Sequence, residues 1–304
     1  MHDVEPTIDQ VIAAIPAWAG RPAAAAEIAG GLTNRNYRVE VAGVPHFVRI
    51  PGTGTDLLAV DRGNELANTR AAGAAGVGAR VFHALPAWNV IVLEWLDAPT
   101  MSSATFQAPG SPSRIAEALR RLHAGPRFLD DFDMVALSAR YLGVVDERAI
   151  PVPDGYREHL GAVPRIDAAL QARPLPTVPC HNDLLAENYL DDGTRLRIVD
   201  YEYSGNNDPT FEIGNTAQEL GFDDVRLREL VGAYFGAATP ALLARCRLQM
   251  IMSDVGWTLW AAIQTRISAI DYDFWAWAVS RSARAEAMID GPDFEDWLRA
   301  TSEG

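Results

Sequence analysis

One polar segment stands out because its residue types and spacing fit phosphoryl transfer. Asp183 follows His181 in a short loop-like run, Asn188 comes five positions later, and Asp200 follows a turn. A carboxylate such as Asp183 can accept the proton of a hydroxyl group that attacks phosphorus. Amide and carboxylate oxygens, as in Asn188 and Asp200, are ligands that Mg²⁺ prefers. The pattern predicts a base beside a metal-bound phosphate. The alternative, a solvated loop and a surface hairpin, requires several positions to coincide by chance.

A β-hairpin would bring these residues together. The turn signal Asp191-Asp192-Gly193 separates two strand-like segments. If the hairpin is centred near Thr194, Asn188 and Asp200 face each other at its open end. The loop before the first strand then carries Asp183, and His181 braces that loop.

The rest of the chain predicts two lobes of mixed α/β (α+β) character. Short apolar alternating segments predict strands before Leu96, with one helix inserted over 56–75. Helical periodicity covers 113–123 and most of 213–300. We therefore expect a small sheet-based lobe over 1–96 and a larger, mostly helical lobe over 97–304.

The segment HNDLLAENYL…IVDYEYSGNNDPTFEIGN resembles the Brenner-type motif and metal motif of the choline/ethanolamine kinase family. This family belongs to the aminoglycoside-phosphotransferase-like group, and the resemblance extends over nearly the whole chain. It implies a bilobal protein-kinase-like fold that uses ATP and Mg²⁺. It also implies that Asp183 is the catalytic base and that Asn188 and Asp200 hold Mg²⁺.

A glycine-containing segment precedes the first strand. Gly30-Gly31-Leu32-Thr33-Asn34 has small residues that let backbone N–H groups approach a phosphate, although a Gly-Gly pair is more often simply a turn. The segment resembles the phosphate-covering loop of choline kinases. The resemblance implies that Gly31, Thr33 and Asn34 contact ATP.

Three further positions belong to the nucleotide side. Arg49 lies on a predicted strand where kinases place a phosphate-binding cation, and Glu65 on the next helix would be its ion-pair partner. Ordinary surface charges are the alternative for both. Glu94-Trp95-Leu96 resembles the interlobe hinge, where the backbone of Glu94 and Leu96 would bind adenine. Ala98 stands where the family often has glycine, which leaves the local hinge geometry open.

An aromatic cluster is predicted on the acceptor side. Trp257 and Trp260 share one helix face, a pattern more often found in cores. The continuation to Ser268 is similar to the WxLWxxxQxxIS segment of choline kinases. That similarity implies an aromatic box of Trp257, Trp260 and Trp277 with Glu219 beside the substrate cation. Aromatic faces and a carboxylate are the attractions available to a quaternary ammonium group, which has no N–H to donate.

The sequence departs from the family pattern at two places. Glu212 replaces the usual aspartate of the FDIGN stretch, and Asp224 falls near the expected position of a further tyrosine of the box. Either change would shift the preference from choline towards a smaller or protonated amine.

Composition excludes several classes of partner. The net charge of −14 argues against nucleic acid and is mildly favourable for a cationic substrate, although an ordinary acidic protein has the same charge. No run reaches the ~18 apolar residues typical of a membrane span, so no membrane insertion is expected. The two cysteines have no metal-binding or disulfide spacing. We expect a cytoplasmic protein.

The sequence favours an ATP- and Mg²⁺-dependent kinase of choline or a similar cationic amino alcohol, with ethanolamine as the nearest alternative. A kinase of an aminoglycoside or thiosugar is a second interpretation, and the pair Trp257 and Trp260 speaks against it. A non-catalytic ligand-binding pseudokinase is a third. The intact Asp183, Asn188 and Asp200 speak against that one.

Overall fold

The computed structural model describes residues 5–28, 34–52, 55–268 and 270–304. In these ranges the strands are β1 (Ala23–Ile28), β2 (Asn34–Val41), β3 (Val44–Pro51), β4 (Val81–Leu85), β5 (Val90–Glu94), β6 (Val178–Cys180), β7 (Tyr189–Asp191), β8 (Leu196–Ile198) and β9 (Gly205–Asn207). The α-helices are α1 (Ile8–Ala14), α2 (Arg62–Ala74), α3 (Ser111–His123), α4 (Met134–Glu147), α5 (Tyr156–His159), α6 (Ala162–Ala172), α7 (Pro209–Glu219), α8 (Asp224–Phe235), α9 (Pro240–Ile267), α10 (Phe274–Ile289) and α11 (Phe294–Glu303).

The N-terminal part is a five-stranded antiparallel sheet in the order β1-β2-β3-β5-β4. Alternate residues of β2, including Tyr37 and Val39, are buried on one face and pack against Val11 and Ile15 at α1. The strands predicted around 37–41, 46–50, 81–83 and 90–93 are confirmed. Strand β1 was not predicted, because its alanine run carries no strand signal; pairing with β2 along its whole length makes it a strand.

Helix α2 begins later than the sequence pattern predicts. Residues 55–58 form a short 3₁₀ turn, and Asp61 then caps α2 by accepting hydrogen bonds from the backbone N–H groups of Gly63 and Asn64, both at 2.8 Å. Its buried face is tied to the second half of the chain, since Asn64 and Asn68 both donate to the carbonyl oxygen of Ser204. The helix therefore bridges the sheet and the helical part.

The C-terminal part is built around the 28-residue helix α9. Helices α4, α7, α10 and α11 all pack on it, so it is buried around most of its circumference between Leu243 and Gln264. A sheet-based N-terminal part and a helical C-terminal part confirm the expected fold class. The boundary after Leu96 stays a prediction. Among the described helices, none is both long and apolar enough to cross a bilayer.

The predicted hairpin is present as β7 and β8, but its register differs from the prediction by one residue. Tyr189 pairs with Ile198, and Val199 donates its N–H to the carbonyl oxygen of Asn188 at 3.0 Å. The expectation that Asn188 faces Asp200 directly was therefore wrong. The turn is centred between Gly193 and Thr194, so Asn188 lies opposite Val199. A second two-stranded pair, β6 with β9, was also not predicted.

Candidate active site

A cleft of about 1200 Å³ lies between the sheet and the helical part. It is lined from both sides by ten of the predicted site residues: Arg49, Glu94, Leu96, Asp183, Asn188, Asp200, Glu219, Trp257, Trp260 and Trp277. Asn34 and Glu65 reach the same region through ion pairs and hydrogen bonds described below. Gly31 and Thr33 lie outside the described residues. The predicted nucleotide and acceptor residues thus share one cavity.

The loop that carries Asp183 is held by helix α7. The carboxylate of Glu212 accepts hydrogen bonds from the backbone N–H groups of His181 and Asn182, both at 2.7 Å. Asn182 has the left-handed backbone conformation (φ 69°), which asparagine tolerates better than most residues. His181 is buried, burial lowers its pKa, and its Nε2 lies 2.8 Å from the carbonyl oxygen of Val199. These contacts hold the loop that carries Asp183 in place.

Asp183 is half-buried in the cleft, and its environment favours the protonated form. Burial raises the pKa of its carboxyl group to about 8, with the charge of Glu219 adding to the effect and that of Arg281 opposing it. Its carbonyl oxygen accepts a hydrogen bond of 2.7 Å from the Nδ2 of Asn188. To act as a base this group must first lose its proton, and the positive charge of a metal ion bound nearby would lower its pKa and favour that form.

Asn188 and Asp200 offer the hard oxygen atoms that Mg²⁺ requires. Because Asn188 uses Nδ2 to bind the loop, its amide oxygen is the atom that would coordinate a metal. Asp200 has a left-handed backbone (φ 71°), and its side chain is 41% exposed to the cleft. The two residues therefore fit a magnesium site in their donor chemistry and in their shared position on the cleft wall.

A charge network connects the sheet to this metal side. Arg49 forms a close ion pair with Glu65, as expected, and also donates to Asp200 at 2.7 Å. Glu202, which the sequence reasoning missed, lies 3.8 Å from Arg49 and accepts a hydrogen bond of 2.6 Å from Arg62. Burial alone would raise the pKa of Glu202, but Arg49 and Arg62 bring it below its usual value. The network favours the charged form of Glu202, whereas burial and the charge of Glu202 raise the pKa of Asp200.

The remaining nucleotide-side residues have structural partners of their own. Asn34 donates through Nδ2 to Glu202 at 2.6 Å. The Glu94 carboxylate accepts from the Nε of Arg80 at 2.7 Å, while the carbonyl oxygen of Leu96 accepts from the backbone N–H of Ala98 at 3.0 Å. Residues 94–96 line the cleft where the two parts of the chain join.

Aromatic side chains line the opposite end of the cleft. Trp257 and Trp260 are almost fully buried on α9, and Tyr203 links them: its ring lies 4.9 Å from that of Trp257, and its hydroxyl oxygen accepts from the Nε1 of Trp260 at 2.7 Å. The ring of Trp277 packs edge-on against Trp260 at 5.3 Å, and Tyr272 lies 5.9 Å from Trp277. The three predicted tryptophans thus meet in one cluster, to which the structure adds two tyrosines.

Glu219 lines this aromatic end, but its carboxylate already has a partner. Arg281 donates to both carboxylate oxygens, with Nη2 2.7 Å from Oε2. The guanidinium carbon of Arg281 lies 4.3 Å from the centre of the Trp277 ring. Asp224, by contrast, is exposed at the start of α8 and paired with Arg247, away from the cleft lining.

Sequence reasoning could have found two of the missed residues. Glu202 and Tyr203 follow Asp200 almost directly, so they had to lie near the metal side unless the chain turned away. Tyr272 and Arg281 carried no such signal, because they reach the cleft only through the packing of α10 on α9.

Comparison with known proteins identifies the family of the chain. The model of the phosphotransferase enzyme family matches residues 24–248. A crystal structure of a choline/ethanolamine kinase family protein from Mesorhizobium loti is 39% identical, superimposes with a TM-score of 0.84, and the match covers 96% of this chain and 97% of the other. The chain belongs to the choline/ethanolamine kinase family. It is a phosphotransferase of the choline/ethanolamine kinase type, and its relatives act on alcohol groups.

Curated relatives point to the same family. Rat ethanolamine kinase 2 is 29% identical over 269 residues, which cover 77% of this chain and 67% of the relative. Protein LicA from Haemophilus influenzae is 27% identical over 249 residues, covering 77% and 72%. The aminoglycoside phosphotransferase APH(4)-Ia shares the fold at 16% identity (TM-score 0.63, 88% of this chain and 95% of the other).

Proposed function

We propose that this choline/ethanolamine kinase-type enzyme uses ATP and Mg²⁺ to phosphorylate the hydroxyl group of choline or a similar cationic amino alcohol. The observation that carries the proposal is the position of Asp183. It lines the same cleft as Asn188 and Asp200, whose side chains suit a metal ion. The tryptophan cluster lines this cleft as well. An acceptor bound in the cluster would present its hydroxyl group to this carboxylate.

Each residue has a defined task in this proposal. Asp183 accepts the hydroxyl proton as the oxygen attacks the γ-phosphorus, while the bond from the γ-phosphorus to the β,γ-bridging oxygen breaks and ADP leaves. Arg49, held by Glu65, neutralises charge on the phosphates. Bound Mg²⁺ would neutralise the remaining phosphate charge and would be held by Asn188 and Asp200. The aromatic cluster orients the acceptor, so that most of the rate enhancement comes from positioning and electrostatics.

Nucleotide use is supported by a structural neighbour. LicA in complex with AMP shares this fold (21% identity, TM-score 0.74, 96% of this chain and 97% of the other). In our proposal ATP lies against β3 and the 94–96 segment, between the lobes 1–96 and 97–304. A cytoplasmic location would accompany this use of ATP.

Choline is favoured over ethanolamine by the chemistry of the aromatic end. A quaternary ammonium group binds through aromatic faces, each contact contributing ~0.5–2 kcal/mol when desolvated. A primary ammonium group has three N–H groups that need acceptors, and Arg281 already takes one acceptor site on each oxygen of Glu219, so fewer sites remain for it. Ethanolamine remains the second candidate because curated relatives carry that name. The cluster gives a bulky polar aminoglycoside or thiosugar few polar partners.

An ADP-release assay with purified protein, ATP and Mg²⁺ tests the proposal. The acceptors are choline, ethanolamine, an aminoglycoside and methylthioribose. We expect turnover with choline, weaker turnover with ethanolamine, and none with the other two. Asp183→Asn should lower kcat by ~10²–10⁴-fold while ATP still binds. Preferred turnover of the aminoglycoside or thiosugar would refute the acceptor assignment, and unchanged kcat in Asp183→Asn would refute the base assignment.

A further inference from the structure

A buried arginine lies at the acceptor end of the cleft. Arg281 is on α10, its residue is only 1% exposed, and it lines the cleft together with Trp277 and Glu219. Burying a guanidinium group is costly unless its charge and its N–H groups find partners. Arg281 contacts Asp254 at 3.5 Å, and its other two partners are residues predicted to bind the acceptor.

The first partner is the carboxylate of Glu219. Two parallel hydrogen bonds fix both the position and the rotation of a carboxylate, which a single bond does not. Here the two terminal nitrogens of Arg281 bind the two oxygens of Glu219. The Glu219 side chain is 5% exposed, so without Arg281 its negative charge would be buried beside that of Asp254.

The second partner is the indole of Trp277. The guanidinium carbon lies 4.3 Å from the ring centre, a distance typical of a cation–π contact. Trp277 is only half-buried and lies near the start of α10, where packing constrains it less than it constrains Trp257 and Trp260. The contact with Arg281 therefore restricts the ring to one orientation.

A second arginine on α10, Arg284, lies near the same two carboxylates, those of Asp254 and Glu219. Arg284 binds Asp254 through Nε at 3.1 Å and through Nη2, whereas its approach to Glu219 is 3.8 Å. Arg284 is 36% exposed and is absent from the residues that line the cleft. It has the same charge and lies on the same helix as Arg281, but it lacks contact with the tryptophan ring.

We propose that Arg281 is a positioning residue of the acceptor site, which holds Glu219 and Trp277 in the geometry that receives the cationic group of the acceptor. This assignment of Arg281 rests on the proposed function, since it concerns the binding of the acceptor named there. Arg281 acts on the acceptor through these two side chains, and its charge also opposes the raised pKa of Asp183. Its loss should weaken acceptor binding selectively.

Steady-state kinetics on the full-length protein test this assignment. Arg281→Met keeps the approximate length of the side chain but removes its positive charge and the two terminal nitrogens that bind Glu219, which together form a fork. We expect the KM for choline to rise at least about tenfold, the loss of hydrogen bonds to a charged group being worth ~1.5–3 kcal/mol. The KM for ATP should change less than about twofold, because ATP binds at the other end of the cleft. Arg281→Lys keeps the charge without the fork, so it should restore the KM only in part.

Arg165→Met is the matched control, since Arg165 also pairs with a carboxylate, that of Glu295, and lies over an aromatic ring, that of Phe294, outside the cleft lining. We expect its KM for choline to change by less than about twofold. If Arg281→Met does not fold, Arg281→Lys carries the test, because it keeps a positive charge beside Glu219 and should still raise the KM for choline selectively. An unchanged KM for choline in the folded variant, or an equal rise for choline and ATP, overturns the assignment of Arg281 alone. Absence of turnover by the unmodified protein with every amino alcohol overturns the proposed function itself.

Discussion

The guanidinium group of Arg49 lies 2.7 Å from the carboxylate of Asp200, so strand β3 and the segment after β8 are joined on the side of the cleft where we propose that the nucleotide binds. The same guanidinium group pairs with Glu65 on α2. A planar fork can serve two carboxylates at once, which the single ammonium group of a lysine does less well.

Arg49→Lys should therefore impair nucleotide binding while preserving charge. We expect the KM for ATP to rise ~3–30-fold, because the lysine cannot hold Asp200 and Glu65 and also reach a phosphate. The KM for the acceptor should stay within about twofold. Steady-state kinetics with each substrate varied in turn measure both values.

Arg157→Lys provides the comparison, since Arg157 is exposed and pairs with Asp146 outside the cleft lining. It should leave both KM values unchanged. A rise in the acceptor KM equal to that for ATP in Arg49→Lys would contradict a role confined to the nucleotide.

Glu212→Gln should loosen the catalytic loop. The carboxylate accepts from two backbone N–H groups, and an amide can offer its single oxygen to only one of them. Leaving one buried donor unsatisfied costs ~1–3 kcal/mol, which should appear in the free energy of unfolding. Because the loop carries Asp183, kcat should fall by about tenfold or more while the KM for ATP changes little.

Glu229→Gln, an exposed position on α8, is the control for that measurement. Denaturant unfolding and kcat are measured for both variants. A loss of stability in Glu212→Gln with kcat unchanged would show that Glu212 supports the fold without positioning Asp183.

The raised pKa of Asp183 predicts a pH-dependent stability. Folded protein keeps this carboxyl protonated up to pH about 8, whereas the unfolded chain releases the proton near its ordinary value. Between these values the folded state binds more protons, so this residue makes stability fall as pH rises, and the loss is complete above the folded pKa. Asp183→Asn should remove that fall and stabilise the protein at pH 9 by about 1–3 kcal/mol, allowing for the solvent that still reaches the group.

Unfolding at pH 4 and pH 9 in the presence of a metal chelator measures this effect. The gain from Asp183→Asn should be near zero at pH 4 and largest at pH 9. Asp154→Asn, at an exposed position, should show no such trend. Equal stability changes at both pH values would indicate that Asp183 has an ordinary pKa.

Trp257→Leu should affect the acceptor more than the nucleotide. The substitution removes an aromatic surface worth ~0.5–2 kcal/mol to a cation, so the KM for choline should rise ~2–30-fold and the KM for ATP much less. Because Trp257 is buried, some loss of stability is expected as well. Trp297→Leu on α11, a partly buried tryptophan outside the cleft lining, controls for that loss. Equal effects on both KM values would point to lost packing alone.

Local sequence patterns were enough to predict contacts between site residues that lie close together along the chain. Asp183, Asn188 and Asp200 fall within one loop and one hairpin, and a turn signal is enough to bring them to one place. The tryptophan pair of α9 follows in the same way from helical spacing. Glu65 and Arg49 come from a strand and the helix after it, so their ion pair was also within reach.

Contacts between segments that are far apart in the sequence became visible in the tertiary structure alone. Arg281 meets Glu219 across 62 positions of sequence, and Glu202 meets Arg62 across 140. The alanine run of β1 becomes a strand only because the edge of β2 offers it hydrogen bonds. No local spacing encodes these contacts, since they depend on how α10 packs on α9 and how the sheet meets the helical part. For the same reason the local pattern left the hairpin register uncertain by one residue.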